Sequence, residues 1–118
     1  MSDKTFVVAF HVPGTLAANL TSCFVLPCDC QLLHVSAVGS GANDGLLTVG
    51  NTTTADLYCT SFSIGDSNVP AVRNRANFVG GQYPHIAAGT VIAWALDYDG
   101  ASGTATANFT LVLTFTEG

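Results

Sequence analysis

The chain has 118 residues and a mass of 12.1 kDa, with 48% hydrophobic residues, only 9% charged residues and a formal net charge of −5. This length predicts one domain, residues 1–118, whose folded surface of roughly 6,000 Å² carries about one charge per 550 Å². So neutral a surface suits a subunit covered in an assembly better than a free monomer, and three cations, Lys4, Arg73 and Arg75, are too few for a nucleic-acid track.

The opening M-S-D-K-T-F lacks the basic and apolar regions of a secretory signal, and no apolar run is long enough to span a membrane. The chain is therefore expected to be made in a cytoplasm and to have no membrane partner. Thr5 to Val12 alternates as a strand, with Phe6, Val8, Phe10 and Val12 on one face, and Pro13-Gly14 ends it. Thr15 to Asn19 reads as a linker with room for one helical turn, and Leu20 to Leu26 as a second strand closed by Pro27. Gln31 to Val38 is mostly apolar on both faces, Leu33, Val35 and Ala37 opposing Leu32, His34, Ser36 and Val38, which predicts a central strand.

Asn43-Asp44-Gly45 is a turn, followed by a short strand over Leu46 to Val49 and a loop at Thr52 to Thr54. Asp56 to Ile64 forms a further strand. Gly65 to Gln82 is long for a bare connection, so it is read as an arm or partner contact with a short strand at Asn77 to Val79. Val91 to Tyr98 places Ile92, Trp94, Leu96 and Tyr98 on one face. The last strand, Thr104 to Thr116, sets Ala105, Ala107, Phe109, Leu111, Leu113 and Phe115 against a threonine face interrupted by Val112. No helix-period segment of useful length occurs. The fold class is therefore all-β: an antiparallel β-sandwich, jelly-roll or Greek-key like, of about seven to eight strands.

Chemistry-bearing patterns are sparse. Cys23, Cys28 and Cys30 are not spaced as paired zinc ligands, so these and Cys59 are read as free thiols. Asp97-x-Asp99-Gly100-x-Ser102 is a weak calcium candidate through Asp97 and Asp99, but it lacks the closing bidentate carboxylate and reads equally as a turn. His11, His34 and His85 have unrelated sequence neighbours and no zinc spacing. Nucleophile-elbow and papain-like signatures are absent, and no catalytic residue or cofactor is assigned.

Phe10 to Gly14 (F-x-V-x-G), Leu47 to Gly50 (L-x-V-G), the Gly89-Thr90 entry into the strand ending Leu96-Asp97-Tyr98-Asp99-Gly100, and the terminal Leu113 to Gly118 (L-x-F-x-E-G) carry a likeness. With these elements the chain resembles the small virion proteins of tailed bacteriophages that decorate capsids. The resemblance implies a non-enzymatic structural protein of the virion that binds the major capsid protein of an icosahedral head, frequently as a homotrimer. It transfers no site residues. Contact candidates come from the sequence itself: Lys4 and Thr5 in the N-terminal segment, Arg73 and Arg75 in the long connection, and Val112 and Thr114 on the last strand. The alternative is a carbohydrate-binding adhesin or tail-associated module using Trp94, Tyr83 or loop aspartates.

Overall fold

A computed structural model describes residues 4–118. The strands are β1 (Thr5–Thr15), β2 (Leu20–Val25), β3 (Cys30–Val38), β4 (Leu46–Asn51), β5 (Cys59–Ser63), β6 (Ala71–Arg73), β7 (His85–Ile86), β8 (Val91–Asp97) and β9 (Ala107–Glu117). They form two antiparallel sheets. One runs β1-β9-β3-β6, with β7 also paired to β3; the other runs β2-β8-β4-β5. Successive strands cross repeatedly from one sheet to the other, which makes the sandwich jelly-roll-like. The described residues hold nine strands, one more than the upper expectation, because β6 and β7 are separate short strands of three and two residues.

The alternating strands bury one face each. Phe109, Leu111, Leu113 and Phe115 of β9 are fully enclosed, facing Ile92, Trp94 and Leu96 of β8. Aromatic rings run through the interface between the sheets. Phe6 stacks on Phe115 at 5.3 Å, Phe10 meets Trp94 at 5.2 Å, and Trp94 meets Phe109 at 5.6 Å between centroids. Such offset and tilted pairs add to the burial of the rings themselves. The Trp94 Nε1 donor is buried without a partner among the described residues.

Five local expectations are corrected, each for an identifiable reason. The last strand begins at Ala107 rather than Thr104, because Asn108 takes a positive φ of 52° and resets the alternation. Its Oδ1 accepts from Gly14 N–H at 2.8 Å, and Thr106 turns inward, its hydroxyl donating to the Tyr98 carbonyl at 2.9 Å. In β3 the pairing with β9 slips between Leu32 and His34, so Leu32 and Val35 both point into the core and Leu33 does not share their face. In β5, Val49 faces Cys59 while Leu47 faces Phe62, and the extra residue lets both Cys59 and Phe62 point inward. Finally, Asn77 to Val79 is not a strand. Short 3₁₀ turns occupy Arg75–Asn77 and Val79–Gly81, and the strand of this connection is Ala71–Arg73. Thr15 to Asn19 likewise contains no helical turn, since β1 runs on to Thr15.

Gly65 explains how the long connection folds back. A side-chain carbon there would collide with the Val69 carbonyl and the Ala71 amide, so the chain doubles tightly on itself before entering β6.

Burial raises the pKa of the enclosed thiols. Cys59 is pushed up to about 11 by burial, opposed in part by the Arg73 guanidinium; Cys30 is pushed up to about 11 by burial and by Cys28, Asp29 and Glu117 nearby. A thiol whose folded value lies above the ordinary 9.0 supports the fold fully below pH 9, and that support is lost as pH rises through about 11. Urea midpoints should therefore fall between pH 9 and pH 11, with Cys59 accounting for about 2–3 kcal/mol. Cys59→Ala should start less stable at pH 8 and show a visibly flatter alkaline decline than the native chain; an identical decline would contradict the assignment.

Candidate functional site

The outer face of the β1-β9-β3-β6 sheet is assembled from residues that sequence periodicity leaves outside the core. The register aligns Val7, Thr114 and His34 in one row; Ala9, Val112, Ser36 and Val72 in the next; and His11, Thr110 and Val38 in a third. A fourth row carries Thr5, Thr116, Gln31 and His85. No Asp, Glu, Lys or Arg belongs to any of these rows. Val7 is 60% exposed and Val72 40% exposed, so the face offers apolar surface as well as hydroxyls. A patch of this composition matches what protein interfaces bury, because no ion has to lose its hydration when it is covered.

All three histidines of the chain lie on this face. His11 Nδ1 is 2.8 Å from the Thr110 hydroxyl, and His85 Nδ1 is 3.4 Å from the Gln31 amide nitrogen. Sequence spacing keeps the three apart; only strand pairing gathers them. Only His11 carried a readable signal, its position in β1 alternating away from Phe10 and Val12; His34 lies past the slip in β3 and His85 in a strand of two residues.

The predicted contact residues divide accordingly. Thr5, Val112 and Thr114 come together on the charge-free face. Lys4 continues the inward phase of β1, its carbonyl accepting from the Glu117 N–H at 2.9 Å. The rest of the proposed N-terminal contact, residues 1–3, lies outside the described residues. Arg73 pairs opposite Val35 and turns to the sandwich flank, its guanidinium 4.4 Å from the Phe62 ring centre. Arg75 lies on a 3₁₀ turn beside a shallow hollow bounded by Asn74, Ala76, Gly81 and Tyr83. The two arginines therefore border the sheet at its β6 edge without entering the charge-free rows.

The remaining candidates are structural or dispersed. Asp97 and Asp99 both accept from the Ala101 N–H, at 3.3 and 3.1 Å, so their carboxylates hold the turn. The Asp99 charge beside Tyr98 raises that phenol's pKa above its ordinary range. No group of three or more His, Cys, Asp or Glu side chains is placed to hold a metal ion among the described residues. Trp94 is 3% exposed and packed between Phe10 and Phe109, so it offers no platform for a sugar ring; Tyr83 is exposed and has no aromatic partner among the described residues. On the other sheet, Thr21, Cys23, Ala93 and Ala95 floor a hollow walled by Asn51, Thr52 and Ala55, and Cys23 is the exposed thiol.

The fold and this face define the chain as a jelly-roll-like sandwich with one unusually neutral sheet surface. Its backbone is similar to a chain of the capsid asymmetric unit of the cyanophage Pam1, with a TM-score of 0.57 and 14% identity, covering 99% of this chain and 87% of that one. Looser likenesses are to the coat protein of tobacco streak virus and to infectious bursal disease virus. The first has a TM-score of 0.36 and 10% identity over 96% of this chain and 86% of that one. The second has a TM-score of 0.39 and 6% identity over 98% of this chain and 33% of that one. No protein-family model matches the sequence, and no curated protein matches it either.

Proposed function

We propose that this chain is a virion structural protein without catalytic activity, a capsid decoration protein that binds the major capsid protein of a tailed-phage head from outside. The observation that carries this reading is the charge-free outer face of the β1-β9-β3-β6 sheet, on a chain whose charged residues are already only 9%. The fold shared with a chain from a cyanophage capsid supports the same direction. Stabilisation would follow from mass action, because a subunit that bridges neighbouring capsomers binds the assembled shell and not its separated parts. A homotrimer around a threefold axis would present two different patches on each copy, with Arg73 and Arg75 at the β6 border available to one of them.

Cosedimentation with expanded, undecorated heads tests the proposal. Saturable binding, together with a higher melting temperature of the loaded heads, is expected. A monodisperse monomer that stays in the supernatant at all concentrations would remove the decoration reading.

A further inference from the structure

β1 is an open edge of its sheet, and its chemistry is that of a strand waiting for a neighbour. It spans eleven residues, Thr5–Thr15, without a charged side chain. The other edges are shorter: β6 has three residues, β7 two, β5 five with an irregular register, and β2 six. Edge strands are normally guarded by lysines, prolines, bulges or brevity. β1 has none of these before Pro13.

The register says which backbone groups are free. Glu117 N–H bonds the Lys4 carbonyl, so Lys4, Phe6, Val8 and Phe10 direct their amides and carbonyls to β9. Thr5, Val7, Ala9 and His11 then direct theirs away from the sheet. The side chains tell the same story from the other face. Phe6, Val8 and Phe10 pack against the core yet remain only half-buried, because none of the described residues lies beyond them at this edge.

We infer that β1 pairs with β1 of a second copy, antiparallel, across a twofold axis at Val8. The occupant is a second copy because the strand is self-complementary. The strand brings no like charges to the seam of two chains that each carry a net charge of −5, and inverting it about Val8 sets free groups against free groups. Thr5 then faces His11 of the other copy and Val7 faces Ala9, which satisfies roughly eight backbone hydrogen bonds. On the inner side Phe6 meets Phe10 of the other copy, closing the apolar gap with cross-strand aromatic pairs. About eight hydrogen bonds lie within the roughly ten, plus or minus five, that a typical interface carries. The result is one continuous eight-stranded sheet, β6-β3-β9-β1 joined to its twofold copy, with both charge-free faces on the same side. A twofold link of this kind is compatible with threefold oligomers, since an icosahedral shell contains both axes, and it does not depend on capsid attachment.

Hydrogen exchange on the intact protein at about 1 μM and about 500 μM reads the pairing directly. The amides of Val7, Ala9 and His11 should gain at least tenfold protection at the higher concentration, while those of Phe6, Val8 and Phe10 are protected at both. Ala9→Pro deletes only an outward amide, a change tolerated on an edge strand, and should weaken association at least tenfold in sedimentation runs while melting changes little. Val7→Lys, which touches no backbone donor, should do the same by placing charge at the seam. Concentration-independent exchange of the three outward amides, or association unchanged in both variants, would overturn the inference. Capsid cosedimentation of the unmodified protein separates this result from the decoration reading: concentration-dependent protection of the three amides in a chain that stays off the capsid overturns only the decoration reading, and capsid binding by a chain without such protection overturns only the pairing.

Discussion

Phe109→Ala is expected to cost about 3–5 kcal/mol and to lower Tm by roughly 12–20 °C. Phe109 is fully buried, sits on β9 between β1 and β3, and packs its ring 5.6 Å from that of Trp94 across the sandwich. Removing the ring takes apolar surface out of the centre of the core and leaves a cavity that two paired sheets cannot collapse to fill. It also strips one aromatic neighbour from Trp94, whose Nε1 is already without a partner among the described residues. Since a domain of this size is held by about 5–15 kcal/mol, the variant should lie close to its folding limit at 37 °C. Chemical denaturation followed through tryptophan fluorescence measures the loss, and a cost below about 1 kcal/mol would mean the core is not built around this strand.

The second large effect concerns binding and leaves stability nearly unchanged. Val112→Lys combined with Thr114→Lys should reduce capsid binding at least a hundredfold while Tm moves by only a few degrees. Both positions face outward from β9: Val112 lies in the row Ala9, Val112, Ser36 and Val72, and Thr114 in the row Val7, Thr114 and His34. Two ammonium groups in the middle of an apolar, hydroxyl-bearing surface would have to be dehydrated without a counter-charge, since no carboxylate belongs to these rows. The neutral pair Val112→Thr with Thr114→Ser is the control. It changes shape slightly but adds no charge, and it should retain binding within a few-fold. Full binding by the lysine variant would place the covered surface elsewhere on the molecule.

The sequence was most readable where alternation is strict. Phe109, Leu111, Leu113 and Phe115 announced the core face of β9, and Ile92, Trp94 and Leu96 that of β8, because period two ties burial directly to position. Legibility ended at every bulge. Asn108 with its positive φ, the slip at Leu33 and the extra residue of β5 each shift the phase by one, which reverses every inside and outside assignment beyond them. Strands held only by a neighbour, such as Ala71–Arg73 against Ala37 to Val35, had too few residues to show a period at all. The candidate face was legible in part. Val112 and Thr114 were recognisable as outward positions, whereas its extent, its freedom from charge and its three histidines depend on which strands are adjacent. That adjacency is set by contacts far apart in sequence, as when β1 pairs with β9.

A cryo-electron reconstruction of expanded, undecorated phage heads incubated with this chain tests the proposed decoration role most directly. Decoration predicts density for the sandwich at symmetric positions outside the head shell, with Val112 and Thr114 covered by a neighbouring chain. Absence of the protein from the head, or its presence with the outer face of the β1-β9-β3-β6 sheet open to solvent, would contradict it.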